Sequence, residues 1–273
     1  MSTADWLPDD FSVQRIATNQ TRLSVAVGGS GPVLVLLNGW PQTSRAWARV
    51  MPALAQDHTV VVPDLRGTGD SDRPEGGYAK TNQADDIRGL LTSLKLTGPV
   101  AVAGHDIGSM VAFAWAAAHP VDISRLILVD SLLPGLGLEE AMDVAEGGMW
   151  HFGFFMTPNI PEMLFDGHEL EFITTTFTAM SNPGTFSPDD LTAYADEYTG
   201  RDRLADGREN RALLAEKKLP MPVLAIGTTH SGTAAQALAP RADHVRGTVA
   251  PTGHFVAEED ADWFTETVTE FLG

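Results

Sequence analysis

A chain of 273 residues with a formal charge of −18 at pH 7 has no basic excess with which to neutralise phosphates. Nucleic acid and anionic membrane are therefore not expected as partners, and a small-molecule substrate suits it better. Its lack of cysteine excludes disulfides, thiolate metal sites and a cysteine nucleophile. The N-terminal MSTADWLPDDF lacks the basic-then-apolar order of a signal peptide, and no apolar run approaches the roughly 20 residues that span a bilayer, so a cytoplasmic monomer or homodimer is expected.

In chain order, Phe11–Thr18 and Thr21–Val27, joined by a short Asn-Gln turn, read as an antiparallel hairpin at a sheet edge. Runs rich in β-branched residues follow at Val33–Leu37, Thr59–Val62, Val100–Ala103 and Leu126–Val129, with helix-like stretches between them. That alternation predicts an α/β fold with a mostly parallel sheet covered on both faces. Beyond Asp130 the strand rhythm stops until Val223–Ile226, and helical spacing and aromatic clusters take over. A last strand near His244–Val249 and an amphipathic helix over Ala257–Leu272 close the chain. The expected organisation is a core domain of residues 1–133 and 217–273, eight-stranded, interrupted after the sixth strand by a helical cap over 134–216.

Chemistry is concentrated at GHDIG, residues 104–108, between the strand VAVA and a helix-like stretch running to His119–Pro120. A strand that ends in Gly-x-nucleophile-x-Gly and turns at once into a helix is a nucleophile elbow, whose strained turn needs small flanking residues. Gly104 and Gly108 bracket Asp106 in that pattern. The plainer alternative is an aspartate that only caps the helix.

Taken with LLNGWPQT after the first parallel strand, PDLRGTGDSDRP after the next and PTGHFVAEED near the C-terminus, the chain resembles the α/β-hydrolase superfamily. The resemblance is to the branch of epoxide hydrolases and haloalkane and haloacetate dehalogenases. It implies that Asp106 displaces a leaving group at a saturated carbon and forms an alkyl-enzyme ester. His254, after the last strand, would then activate the water that hydrolyses the ester. The acid behind that histidine commonly follows the strand corresponding to Val223–Ile226, but GTTHSG offers no carboxylate there. The other position used in this branch falls on Asp130, which could instead only cap the turn into the cap. The resemblance also assigns the oxyanion hole to the backbone N–H groups of Trp40 and Ile107, and makes Trp40–Pro41 a candidate cis peptide. Asn38 stands where that loop usually carries a histidine and is a candidate polar contact for the substrate.

The leaving group is harder to assign. Epoxide hydrolases of this branch usually supply a proton from two cap tyrosines in separate segments. Here Tyr194 and Tyr198 lie four apart on one predicted helix, and Tyr78 lies outside the cap. In MWHFGFFMTP, Trp150 and His151 are further polar-tipped candidates, although the stripe also fits cap core. A haloacetate dehalogenase would carry arginines after the nucleophile, where Ile107 and Met110 stand; a haloalkane dehalogenase would carry a tryptophan at Ile107. Epoxide hydrolase-like chemistry on a small or medium apolar substrate is therefore the leading expectation. Carbon–halogen hydrolysis, another hydrolase or lyase reaction on the same residues, and a binding protein with this fold are the alternatives. No metal or nucleotide cofactor is implied.

Overall fold

The computed structural model describes residues 6–155, 157, 160–198 and 218–273. Among them lie eight strands: β1 (Phe11–Thr18), β2 (Thr21–Gly29), β3 (Val33–Leu37), β4 (Thr59–Pro63), β5 (Val100–His105), β6 (Ile123–Val129), β7 (Val223–Thr228) and β8 (Val245–Ala250). They form one sheet in the order β1-β2-β4-β3-β5-β6-β7-β8. Pairing is parallel from β4 through β8 and antiparallel where β2 meets β1 and β4. The hairpin turn uses Asn19 and Gln20 at φ 27° and 60°, the positive angles that a tight right-twisted hairpin requires.

Alternation along each strand sorts the core into two layers. Val35, Leu37, Val61, Val100, Val102, Leu126 and Leu128 point to one face. Leu34, Leu36, Val60, Val62, Ala101, Ala103, Ile127 and Val129 point to the other. Both faces are apolar because helices cover both. The helices are α1 (Met51–Leu54), α2 (Lys80–Ser93), α3 (Ile107–Ala118), α4 (Leu138–Ala141), α5 (Trp150–Phe155), α6 (Ile160–Phe165), α7 (Glu169–Met180), α8 (Pro188–Asp196), α9 (Ala235–Leu238), α10 (Val256–Glu259) and α11 (Ala261–Leu272). Ile87 and Leu90 of α2 with Val111 and Trp115 of α3 pack on the first face; Met51, Phe264 and Val268 pack on the second.

Two local expectations are corrected. The final helix is broken rather than continuous over Ala257–Leu272: Asp260 leaves the helical region at φ −143° and its side chain accepts the Trp263 N–H, starting α11 afresh. Tyr198 is not on the helix of Tyr194, because α8 stops at Asp196 and the Tyr198 N–H turns back to the Ala195 carbonyl at 2.9 Å. The PDLRG motif proves structural, since Arg66 grips Asp86 of α2 through two bonds of 2.5 and 2.6 Å with both side chains buried. Five helices, α4 to α8, lie between β6 and β7 among the described residues. No helix among those residues is long and apolar enough to cross a membrane.

Candidate active site

Loops at the carboxyl ends of β3, β5, β6, β7 and β8 converge, which is where an open parallel sheet leaves a crevice. Asp106 sits between β5 and α3 at φ 47°, ψ −118°, a conformation that non-glycine residues seldom adopt. It is held by its N–H to the Val129 carbonyl at 3.1 Å and by Ser131 Oγ donating to its carbonyl at 2.9 Å. The flanking glycines are steric necessities. A Cβ on Gly104 would lie 2.3 Å from the Gly108 carbonyl oxygen, and one on Gly108 would lie 2.3 Å from that of Leu37.

The Asp106 Oδ2 accepts the Trp40 N–H at 2.9 Å. Ile107 opens α3, so its N–H is among those with no acceptor within the helix. The Trp40 N–H thus meets the Asp106 carboxylate directly, and Ile107 is the next residue in the chain. Trp40–Pro41 is cis. Asn38 is fully buried and its Nδ2 donates to the carbonyls of Gly39 and Gln42 at 3.0 and 2.8 Å. The amide nitrogen braces its own loop, while the Asn38 Oδ1 has no hydrogen-bond partner among the described residues.

His254 follows β8, and its Nδ1 meets Asp130 Oδ2 at 2.7 Å. The other Asp130 oxygen accepts from Ser231 Oγ. Burial opposes ionisation of Asp130, yet the bonds from His254 and Ser231 outweigh it and hold this carboxyl below the usual aspartate range. Burial likewise opposes protonation of His254, but the Asp130 bond and the nearby Asp106 charge overcome it and raise the imidazole above its ordinary value. Behind this pair His105 is buried, its Nδ1 2.8 Å from Gln42 Oε1 and its Nε2 2.9 Å from the His254 carbonyl oxygen.

Over Asp106 the cap presents an aromatic wall. The Trp40 ring packs against Phe155, Phe172 and Tyr198 at centroid distances of 4.3, 5.7 and 6.3 Å. The Tyr198 hydroxyl and the Trp40 indole N–H are buried without hydrogen-bond partners among the described residues. Burial, then the charges of Glu197, Asp64 and Asp106 among others, push the Tyr198 phenol upward, so it keeps its proton. His151 of α5 is half-buried, and burial lowers its pKa against the opposing pull of Asp106. A neutral His151 still offers an N–H.

The other sequence candidates have different surroundings. Tyr194 is fully buried, its ring tilted against Phe177 at 5.1 Å and its hydroxyl on Glu258 Oε1 at 2.7 Å. It serves the junction of α8 with the C-terminal segment, which corrects its assignment as a proton donor. The Trp150 ring is 54% exposed and packs edge-on to His151 and Phe154. Among the described residues no group of three or more acidic or histidine side chains is arranged to hold a metal ion.

The α/β-hydrolase fold model matches residues 32–154. A soluble epoxide hydrolase from Corynebacterium sp. (strain C12) is 35% identical over 93% of this chain and 94% of its own length. A fluoroacetate dehalogenase from Burkholderia sp is 29% identical over 97% and 94%. The crystal structure of wild-type Cfl2 from Burkholderia cenocepacia superposes with a TM-score of 0.85 at 31% identity, covering 96% of each chain. The chain belongs to the α/β-hydrolase family, with epoxide hydrolases and dehalogenases among its relatives.

Sequence reading overlooked three residues of the site: Gln42, Ser231 and Glu258. Ser231 lies in GTTHSG, where only a carboxylate was sought; a hydroxyl that serves a carboxylate from the neighbouring strand leaves no such signal.

Proposed function

We propose that this α/β-hydrolase opens an epoxide on a small or medium apolar molecule through a covalent ester on Asp106. One observation carries the reading: Trp40, whose N–H meets the Asp106 carboxylate at 2.9 Å, packs its ring against Tyr198, a buried phenol that keeps its proton and whose hydroxyl has no hydrogen-bond partner among the described residues. Asp106 attacks a ring carbon, the carbon–oxygen bond breaks, and the alkoxide takes a proton from Tyr198 O–H or His151 N–H. His254 then removes a proton from water, and the hydroxide attacks the ester carbonyl of Asp106. The Trp40 and Ile107 N–H groups hold the resulting oxyanion. The ester bond breaks, the diol oxygen is protonated by His254, and the proton shed as Asp106 returns to carboxylate restores the cap donor.

Asp130 keeps His254 in the tautomer whose Nε2 is free to accept and stabilises its charged form. Similarity to the Corynebacterium enzyme along nearly all of the chain supports this chemistry. Haloacetate is less well served, because Ile107 and Met110 offer no cation to its carboxylate. Haloalkane hydrolysis is the second reading, favoured by the Trp40 indole N–H as a halide donor.

The testing experiment is a panel of apolar epoxides and haloalkanes, with diol and halide measured as products. Diol formation is expected; halide release without diol would replace the reading with the second. Tyr198→Phe and His151→Phe separate the steps. The true donor's loss should slow alkylation of Asp106 about a hundredfold. Hydrolysis of the ester once formed should be unaffected. Ser231→Ala should slow ester hydrolysis about tenfold and leave alkylation intact, since a hydrogen bond to a charged group contributes roughly 1.5–3 kcal/mol. Single-turnover kinetics measure both steps.

A further inference from the structure

A chain of side chains runs from the cap to the His254 backbone, and its donors and acceptors do not match if every group has its ordinary charge. Tyr194 donates to Glu258 Oε1 at 2.7 Å. Gln42 Nε2 faces Glu258 Oε2, while Gln42 Oε1 faces His105 Nδ1 at 2.8 Å and His105 Nε2 faces the His254 carbonyl at 2.9 Å. With Glu258 ionised, both nitrogens of His105 would face oxygen acceptors and both would have to carry protons. His105 would then be a buried cation beside His254, the ring that must itself become cationic in the proposed reaction.

A half-turn of the Gln42 amide places its nitrogen on His105 and its oxygen on Glu258. The same number of protons then satisfies every contact with no buried charge. His105 is neutral with Nε2–H on the His254 carbonyl, Gln42 Nε2–H on His105 Nδ1, and a Glu258 O–H on Gln42 Oε1. Two uncharged partners are favoured over a separated ion pair where water is excluded. The three side chains are withdrawn from solvent, Gln42, His105 and Glu258 being 1%, 4% and 8% exposed.

We propose that Glu258 is a positioning residue of this site, a neutral carboxylic acid that fixes the Gln42 amide and the His105 tautomer and so holds the His254 backbone, while Tyr194 ties the same acid to the cap. The inference rests on the proposed role of His254, but the proton arrangement stands apart from any substrate. Its surroundings agree. Burial raises Glu258 to about 7 against the Tyr194 and Gln42 bonds and the Arg49 charge, with Asp190 adding to the rise. Burial and the His254 charge lower His105 to about 4, against the pull of Asp106 and Asp130. Arg49 also bonds the Glu258 carbonyl, and Asp190 is paired with Arg45 at 2.8 Å.

Folded Glu258 binds a proton that the unfolded chain, with its carboxyl at 4.5, releases across the window from 4.5 to about 7. The stability gained from this proton is therefore present below that window and lost as pH rises through it. Ionisation of Glu258 should lower the rate of ester hydrolysis, a loss set against the rise that His254 deprotonation produces and distinguished from it by Glu258→Gln. Glu258→Gln supplies both an N–H for Gln42 and an oxygen for Tyr194 at every pH. It should keep the rate within about threefold of the parent and remove both alkaline losses. Glu258→Ala, which leaves Gln42 and Tyr194 unmatched, should cost about tenfold or more.

The deciding measurement uses the full chain without substrate. Infrared difference spectra between about pH 6 and pH 9 should contain the carbonyl stretch of a protonated carboxylic acid that Glu258→Gln removes, around the titration near 7. Nitrogen-15 NMR at the lower pH should show His105 neutral and protonated on Nε2. An imidazolium signal for His105, or no Glu258-dependent carboxylic acid band, overturns the inference whatever the enzyme turns over. Failure of epoxides as substrates would sink the functional reading and leave both spectra to decide this one.

Discussion

Asp106→Asn should leave a folded protein that turns over no epoxide. Asparagine preserves the side-chain shape, and its oxygen can still accept the Trp40 N–H that Asp106 Oδ2 accepts at 2.9 Å. Asparagine is also among the few side chains that tolerate a positive φ, so the elbow at 47° need not rearrange. The amide oxygen, however, is too weak a nucleophile to displace an alkoxide from carbon. Removing a member of such a constellation typically costs about 10⁴-fold to 10⁶-fold in kcat, with the residue coming from binding and the oxyanion donors alone. Thermal unfolding should move little, and burst-phase alkylation should vanish. A binding protein using the same cavity would bind its ligand equally well as Asp106→Asn, so retained function in that variant would overturn the catalytic reading.

What was legible in the sequence is what short-range physics writes there. Strands buried on both faces must be apolar at both parities, as Val100 to Ala103 and Leu126 to Val129 are, and the ends of all eight strands could be placed to within three residues. The elbow was legible because a Cβ on Gly104 or Gly108 would meet a backbone oxygen at 2.3 Å, so neither accepts a substitute. Asp130 and His254 were assigned through the resemblance to the family's motifs, and the fold brings them to 2.7 Å. The cap was not legible in the same detail. Tyr194 and Tyr198 look equivalent at a spacing of four, but α8 ends between them, and one hydroxyl goes to Glu258 while the other is buried with no hydrogen-bond partner among the described residues. Nor could a carboxylate in AEED be recognised as a partner of Gln42, 216 positions away in the chain. Contacts of that range depend on how two separately folded segments dock, which no local pattern records. The segment GRENRALLAEKKLP, residues 207–220, carries no tyrosine, and all of it before Lys218 lies outside the described residues.

His254→Gln should convert the enzyme into a covalent trap. Alkylation needs only the Asp106 carboxylate and a proton for the leaving oxygen, and neither comes from His254. Glutamine retains a polar side chain of similar reach toward Asp130, but at no accessible pH can it take a proton from water. Ester hydrolysis therefore stalls at the step that requires a base, with turnover falling by about 10⁴-fold or more while the first turnover proceeds. The intact mass of the protein should rise by one epoxide equivalent, and peptide mapping should place the adduct on Asp106. In the parent enzyme the same dependence appears as an acidic limb: the neutral imidazole is the active form, and the Asp130 bond raises its pKa. Ester hydrolysis should accordingly climb with pH through a value above the ordinary 6.5 of histidine. Asp130→Asn removes the main support of that shift, so the limb should move to lower pH even as the maximal rate drops. A His254→Gln protein that turned over a substrate once without gaining mass would exclude the ester and, with it, Asp106 as the attacking group.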